Sequence, residues 1–221
     1  MEIVASNPCD RLERPRMNPS PPRGLSVAQV RQLLTVIPNT PIGLRDRAII
    51  LTLLPTGRRR SEVINLKVRD LAIGDDAVLY TYRGKGGKRG RRELPHPAHE
   101  AIVKALAAFG LDLATMAPDA SLWPPCFGPT DGRGITSGTF YANFRRYLAK
   151  AGLPPSGVHI TRHTAAKLRR EAGESIEDVS RFLDHSSLGV TTTYLRHLEG
   201  QADRTWPAVA TAIGIGSVCP L

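Results

Sequence analysis

Apolar residues recur at helical spacing along most of the chain, and this pattern predicts a mainly helical protein. Residues 26–37 form the first predicted helix, because Ser26 and Gln29 supply a capping box ahead of an apolar face. Residues 44–54 predict a largely buried helix, ended by the segment Pro55-Thr56-Gly57. Further helices are predicted to begin near residue 59 and to cover residues 98–109, 137–151, 158–172, 175–184, 190–198 and 206–213.

One stretch has the composition of strands instead. Residues 77–83 are rich in Val, Leu, Tyr and Thr, residues 84–87 form a glycine-rich turn, and residues 90–94 can return antiparallel. Residues 110–135 are rich in proline and glycine and are expected to form a long surface connection. The pattern therefore predicts an α+β fold, mainly α-helical with one small antiparallel β-sheet.

Composition narrows the class of partner. The 221-residue chain has a net charge of +10 and a pI of about 10.1, which favours a polyanion, most simply double-stranded DNA. An ordinary basic protein stays an alternative on charge alone. The three cysteines form no CxxC pair, so neither a disulfide framework nor a cysteine zinc site is indicated, and a reducing cytoplasm fits best. The longest apolar run, residues 48–54, is too short to span a membrane, and the first residues lack a signal pattern.

Consecutive arginines follow a Thr-Gly turn at the predicted start of a helix. Because Arg58, Arg59 and Arg60 point in different directions, we expect at most two to face a site, and we assign Arg58 and Arg60 to a solvated surface. Glu62 lies three residues after Arg59 on the same helix face and could hold its guanidinium by a forked pair. The helix start itself would favour an anion.

The predicted hairpin carries dense positive charge. Six basic residues and no acidic one lie between residues 83 and 92, and Gly84, Gly86, Gly87 and Gly90 allow sharp bends. A lysine at the hairpin tip could reach a DNA groove, and the alternative is a flexible, solvated turn. The Gly-x4-Gly-Lys-Ser/Thr pattern of a phosphate-binding loop is absent from the sequence.

Histidines near the C-terminal end invite a metal-site interpretation, but their context argues against it. The His-Glu-x-x-His pattern is missing, and Arg162 places a guanidinium between His159 and His163, so we expect no metal. Tyr194 lies on a predicted amphipathic helix, where a lone tyrosine most often packs in a core. A reactive role gains support from the ordered set of candidate reacting residues, Arg59, Lys85, His159, Arg162, His185 and Tyr194.

This ordered set resembles the catalytic domain of the tyrosine recombinases, the phage-integrase family. The motifs that carry the resemblance are TGRRRSE at residues 56–62, GKGGK at 84–88, HITRH at 159–163, LDHSS at 183–187 and TTTY at 191–194. The resemblance implies a tyrosine recombinase catalytic domain at residues 25–199. Residues 1–24 would then be a Pro- and Arg-rich linker or arm, and residues 200–221 a C-terminal tail with a short helix.

Two residues depart from the pattern of the family. The family usually has an apolar residue at the place of Arg58 and often a glycine at the place of Asp184. Neither change removes a reacting group, and Asp184 is expected to raise the proton affinity of the neighbouring His185 imidazole. The family also usually carries a helical DNA-clamping domain before the catalytic one, and residues 1–24 correspond only to its expected trailing linker.

The resemblance implies DNA strand exchange without a metal or cofactor. Tyr194 would attack a phosphodiester, form a 3′-phosphotyrosyl bond and release a 5′-hydroxyl. Arg59 and Arg162 would clamp the non-bridging oxygens. Lys85 would protonate the departing oxygen, with Lys88 as the alternative. The remaining implied roles are proton removal from Tyr194 by His159, a phosphate hydrogen bond from His185, and orientation of Arg59 by Glu62.

Other basic residues are expected to hold the DNA backbone and to make binding sensitive to salt. These predicted DNA-binding residues are Arg83, Lys88, Arg89, Arg91, Arg145 and Arg146. The resemblance further implies a tetramer of recombinase protomers on two DNA sites, a mostly monomeric protein without DNA, and a cytoplasmic, nucleoid-associated location. The tail at residues 200–221 would dock on a neighbouring protomer or pack on its own domain.

Four functions stay open on the sequence alone. The first is an active site-specific recombinase or its catalytic domain, and the second is a truncated, catalytically silent DNA-binding relative that modulates a full-length partner. The third is a relaxing enzyme like type IB topoisomerases, and the fourth is a metal-dependent nuclease. The set of reacting residues favours the first, because DNA binding alone does not require Tyr194.

Overall fold

The computed structural model describes residues 24–84, 87, 89–126 and 132–184, and within these ranges it contains seven α-helices and one three-stranded sheet. The helices are α1 Val27–Thr35, α2 Pro41–Thr56, α3 Arg60–Ile64, α4 His96–Ala108, α5 Ser137–Lys150, α6 Ile160–Glu171 and α7 Ile176–Phe182. The strands are β1 Leu71–Ile73, β2 Val78–Arg83 and β3 Arg89–Glu93, paired antiparallel in that order. The predicted mainly helical α+β fold is confirmed.

Helix α2 is the central element of the fold. Its N-terminus is capped by the Thr40 side chain, and Gly57 ends it in the left-handed conformation with φ 60°. The helix runs through Pro55 to Thr56, so the predicted end at residue 54 is two residues short. A proline in the last turn removes one hydrogen bond without breaking the helix, so within the predicted stop it is the left-handed Gly57 that ends the helix.

The core around α2 includes a buried ion pair. Arg45 and Asp46 are both fully buried and lie 2.9 Å apart. Asp46 also accepts hydrogen bonds from Asn143 and Tyr147 of α5, at 2.8 and 2.9 Å. These bonds compensate the cost of burying the charges and fix α5 against α2.

The segment after α4 is not the surface connection that its composition predicts. Leu122 and Trp123 are fully buried, and the Trp123 indole donates a 2.6 Å hydrogen bond to the Val63 carbonyl of α3. Ser121 also forms an isolated bridge with Lys67. The expectation for residues 110–135 was therefore wrong for this part, because two large apolar side chains outweigh the surrounding proline and glycine.

The sheet has one strand more than predicted. Strand β1 has only three residues, two of them exposed, and it pairs Leu71 with Tyr80 of β2. Such a short, exposed segment carries no alternation that a sequence pattern could reveal. No helix in the described part of the chain is long and apolar enough to cross a membrane.

Helix α7 has little apolar contact with the rest of the domain. A satellite cluster of Ala166, Val179 and Leu183, with Phe182 packed against it, joins α7 to α6 apart from the main core. Polar contacts are therefore needed to fix the end of α7 against the rest of the domain.

Candidate active site

Arg59 stands at the start of α3 and is held by Glu62. The Glu62 carboxylate accepts one hydrogen bond from the Arg59 backbone N–H at 2.9 Å and another from its Nη1 at 2.8 Å. Glu62 is buried, whereas the Arg59 side chain is 32% exposed. The spacing correctly predicts this pair, although the carboxylate bridges the backbone and the guanidinium instead of forming a fork with the guanidinium alone.

Arg162, on the first turn of α6, is buried at the junction of three elements. Its Nη1 donates to the Gly57 carbonyl at 2.7 Å, and its Nη2 donates to the Leu183 carbonyl at 2.5 Å. The guanidinium thereby joins the end of α2, two residues before Arg59, to the end of α7. Both carbonyls lie at helix ends, where backbone acceptors lack partners within the helix.

His159 precedes α6 as its N-cap residue and is exposed. Partial desolvation lowers the pKa of its imidazole, and the positive charges of Arg162 and Arg59 lower the pKa further. Its ring also meets the His163 ring edge to face, with centroids 4.8 Å apart. The imidazole is thus biased toward its neutral form at neutral pH, as a proton acceptor requires.

Gly57 allows the turn before Arg58 to pack closely against the end of α7. A Cβ at this position would lie 2.6 Å from Leu183 Cδ2 and 3.0 Å from Phe182 Cε1. With φ 60°, the position also disfavours any side chain. Glycine is therefore required at position 57 for two reasons: the turn is left-handed, and the backbone lies in close contact with the end of α7.

Arg58 is not on a solvated surface, contrary to the expectation from sequence. Its side chain is 1% exposed, and its guanidinium lies over the Tyr82 ring, 4.4 Å from the centroid. Its Nη1 pairs with Asp184, its Nη2 donates to the Phe182 carbonyl, and its Nε donates to the Thr56 carbonyl at 3.2 Å. The left-handed turn at Gly57 directs Arg58 inward. Arg60 is partly buried too, with its guanidinium 5.5 Å from the Tyr141 ring centroid.

Asp184 pairs with residues that the sequence analysis did not connect to it. Its Oδ2 accepts hydrogen bonds from Arg58 and from the Tyr82 hydroxyl, and its Oδ1 lies 3.2 Å from Arg92 Nη2. Partial burial raises the pKa of Asp184, but the bonds from Tyr82 and Arg58 outweigh burial and hold the pKa below its ordinary value. The expected effect of Asp184 on the His185 imidazole stays a prediction, because His185 lies outside the described residues. The two departures from the family pattern, Arg58 and Asp184, are partners in one ion pair.

The hairpin displays a basic face opposite the core. Arg83 lies directly across from Arg89, and Arg91 lies across from Thr81, so the three arginines share one face of β2 and β3. All three are exposed. Like charges directly opposite each other repel unless an anion neutralises them, so this face suits a polyanion.

The other face of the hairpin is packed. Gly90 lies across from Tyr82, and a Cβ on Gly90 would come within 2.4 Å of the Tyr82 ring. The sequence analysis predicted that Gly90 allows a sharp bend. In the structure Gly90 instead makes room for the Tyr82 ring. Sequence reasoning missed Tyr82 and Arg92, although the alternation in β2 already places Tyr80 and Tyr82 on one side.

Two further predicted DNA-binding residues lie on α5. Arg145 and Arg146 are exposed, and Arg146 donates to Asn143 at 3.0 Å. The predicted residues Lys85, Lys88, His185 and Tyr194 lie outside the described residues. Among the residues that the structure does describe, no three His, Cys, Asp or Glu side chains converge into a group that could hold a metal ion.

Arg59, His159 and Arg162 thus gather at the junction of α2, α3 and α6, where two guanidinium groups and one imidazole form a site suited to a phosphate diester. Fixed positive groups of this kind can stabilise the negative charge that builds on a phosphate in a transition state. The phage integrase family profile matches residues 23–201, and the chain belongs to this family.

Curated relatives support the same assignment. The chain is 31% identical over 214 residues to tyrosine recombinase XerC 2 of Ralstonia nicotianae, covering 93% of this chain and 59% of the relative. It is 29% identical over 195 residues to tyrosine recombinase XerC of Herpetosiphon aurantiacus, covering 86% of this chain and 61% of the relative. The chain therefore spans about three fifths of the length of these relatives.

Solved structures share the fold. A XerH site-specific recombinase bound to a palindromic difH substrate, in a post-cleavage complex, has a TM-score of 0.66 at 22% identity, covering 89% of this chain and 54% of the other. A XerA recombinase has a TM-score of 0.64 at 24% identity, covering 92% and 68%.

Proposed function

We propose that this chain is the catalytic domain of a site-specific DNA recombinase that breaks and rejoins strands through a 3′-phosphotyrosyl intermediate. The observation that carries the proposal is the convergence of Arg59, His159 and Arg162 at one junction, in a chain that belongs to the phage integrase family. The family match also covers Tyr194, the proposed nucleophile. The catalytic domain would occupy residues 25–199, preceded by a linker or arm and followed by a tail.

The proposed reaction exchanges one phosphodiester for another. The Tyr194 hydroxyl oxygen attacks the phosphorus, the bond from phosphorus to the 5′ oxygen breaks, and a phosphotyrosyl bond forms. The tyrosine proton leaves toward His159, and Lys85, or Lys88, gives a proton to the departing 5′ oxygen. A 5′-hydroxyl of a partner strand then reverses these steps, so the bond energy is conserved and no nucleotide or water is consumed.

Arg59 and Arg162 supply the electrostatic part of this mechanism. Charge builds on the non-bridging oxygens in the transition state, and fixed guanidinium groups stabilise it without reorganising. Glu62 holds Arg59 through two hydrogen bonds, and the Gly57 and Leu183 carbonyls hold Arg162. His185 would add a hydrogen bond to the phosphate.

His159 is suited to receive a proton, because its pKa is lowered by partial desolvation and by Arg162 and Arg59. The same positive charges would help Tyr194 to ionise, since an unperturbed tyrosine has a pKa of about 10. One electrostatic environment thus serves both partners of the proton transfer.

Binding to double-stranded DNA is proposed to use the basic face of the hairpin, with Arg83, Arg89 and Arg91, together with Arg145 and Arg146 on α5. The active assembly would be a tetramer on two DNA sites, and the protein would be mostly monomeric without DNA. Its location would be cytoplasmic and associated with the nucleoid.

The test is capture of the covalent intermediate. The protein is incubated with nicked duplexes that lose the short 5′-hydroxyl strand after cleavage, drawn from the DNA that flanks the coding sequence, and is then run on a denaturing gel. We expect a shifted protein–DNA band that Tyr194→Phe abolishes. Tyr141→Phe is the matched control, because Tyr141 is an exposed tyrosine whose ring, and with it the contact to Arg60, is retained.

The outcomes separate the proposed function from its alternatives. A band that survives in Tyr194→Phe would reject this nucleophile, and a band from neither protein on any duplex would reject the enzyme in favour of a DNA binder. If the DNA is cleaved without a covalent band, and EDTA inhibits that cleavage, the protein would be a metal-dependent nuclease. Relaxation of supercoiled plasmid without strand exchange would indicate a topoisomerase.

A further inference from the structure

The chain just before His185 is held by an unusual set of contacts. Helix α7 ends at Phe182 with only a small apolar cluster beneath it. Beyond that cluster, the Leu183 carbonyl is held by Arg162 and the Phe182 carbonyl by Arg58. The position of this segment therefore depends on arginine side chains that come from two other elements.

A second set of contacts ties the same segment to the hairpin. The Asp184 carboxylate accepts a hydrogen bond from the hydroxyl of Tyr82 on β2 and lies 3.2 Å from the guanidinium of Arg92 on β3. Arg58 lies beneath both, paired with Asp184 and stacked 4.4 Å from the Tyr82 ring centroid. We name Arg58, Tyr82, Arg92 and Asp184 the Asp184 cluster.

The backbone conformation of Asp184 is unfavourable for an aspartate, so the side chain must contribute something that compensates. Asp184 is the only described residue other than glycine with a positive φ, at 52°. That conformation disfavours residues with a Cβ, so a glycine would fit the backbone better. The presence of an aspartate at this position is explained by Arg58, because a guanidinium that is 1% exposed needs a nearby negative charge.

We propose that the Asp184 cluster is a positioning device that fixes the segment leading into His185 against the hairpin that carries Lys85. Asp184 directly precedes His185, and Tyr82 lies three residues before Lys85, so the cluster joins the two segments at their described ends. This inference rests on the proposed function, in which the lysine and the histidine act on one phosphate. In this proposal Arg58 and Asp184 are positioning residues that act through the two segments they join.

The test compares single and paired substitutions. Asp184→Gly alone leaves Arg58 buried without its carboxylate, so we expect a Tm roughly 5 °C below wild type. Arg58→Met with Asp184→Gly removes both charges, keeps an unbranched apolar chain in the buried space and relieves the positive φ. We expect this pair of changes to restore the Tm.

The rate of covalent adduct formation decides between structural and positioning roles. At saturating nicked duplex, we expect the double variant to form the adduct at least about 10-fold more slowly than wild type, because Asp184 no longer connects this segment to the hairpin. The DNA affinity should be unchanged. Recovery of both the Tm and the rate in the double variant would overturn the proposal and leave only internal charge compensation. If wild type forms no adduct, the proposed function fails instead.

Two further variants sharpen the result. Tyr82→Phe removes the hydroxyl that donates to Asp184 but keeps the ring against Arg58 and Gly90, so we expect a slower covalent step and a Tm only a few °C lower, as the loss of one hydrogen bond implies. Arg181→Gln on α7 removes an exposed pair with Asp178 and should change neither quantity. A wild-type rate in Tyr82→Phe, or an equal loss of rate in Arg181→Gln, would contradict the assignment.

Discussion

Replacing Glu62 by alanine is the most informative single perturbation of the candidate site. The buried Glu62 carboxylate accepts hydrogen bonds from the backbone N–H and the guanidinium of Arg59, at 2.9 and 2.8 Å. Glu62→Ala removes both bonds at once and leaves the guanidinium without the acceptor that orients it. The change should therefore affect both stability and catalysis.

The size of the stability effect follows from these contacts. Loss of the cap-type bond to the backbone N–H costs about 1 kcal/mol. The ion pair adds at most about 1 kcal/mol, because the Arg59 side chain is 32% exposed and solvent screens the attraction. A total loss of about 2 kcal/mol corresponds to a Tm about 4–8 °C lower for a domain of this size.

The effect on catalysis should be larger than the effect on stability suggests. A displaced catalytic group can cost about 100-fold in rate, so we expect a loss of this order in covalent adduct formation by Glu62→Ala. Glu62→Gln keeps one good acceptor and should fall between wild type and Glu62→Ala. The two measurements are urea denaturation and the single-turnover rate on a nicked duplex.

Asp70 provides a matched control for Glu62. Its carboxylate accepts a 2.9 Å bond from the Lys67 backbone N–H, with the same spacing of three residues, whereas the Arg59 guanidinium and backbone N–H are held by Glu62. Asp70→Ala should lower stability by about 1 kcal/mol and leave the adduct rate unchanged. A wild-type rate in Glu62→Ala, or an equal loss of rate in Asp70→Ala, would refute the role assigned to Glu62.

Three other predictions test the remaining features. Because the folded pKa of His159 is lowered, the unfolded chain binds a proton more readily, so wild type should lose stability relative to His159→Gln as the pH falls from about 7 to 5; parallel pH–stability curves would contradict this. Gly57→Ala should lower the Tm and slow adduct formation, because its Cβ would lie 2.6 Å from Leu183 Cδ2 at a positive φ; a wild-type Tm would exclude the clash. Arg83→Gln with Arg89→Gln should reduce the slope of log affinity against log salt by about 0.9 per arginine, and an unchanged slope in a binding titration would remove this face from the DNA interface.

Local sequence was sufficient for much of the fold. The capping box of Ser26 and Gln29, the buried helix around residues 44–54 and the hairpin strands all follow from short-range patterns, and the structure contains each of them. The pairing of Arg59 with Glu62 follows from a spacing of three residues for the same reason. Interactions within one turn of helix or one hairpin are fixed by neighbouring residues, so a sequence pattern can predict them.

The sequence by itself also determined the family, because the order of the arginine, lysine, histidine and tyrosine motifs does not depend on how the chain packs. Only the tertiary structure decided what surrounds those motifs. Arg58 and Asp184 are 126 residues apart in the chain, and Tyr82 and Asp184 are 102 apart. Arg58 faces inward because the left-handed turn at Gly57 and the end of α7 enclose it, and the buried Trp123 indole finds an acceptor for its N–H in the Val63 carbonyl of α3. Pairings at such separations arise from the packing of whole helices and strands, which no local pattern of residues records.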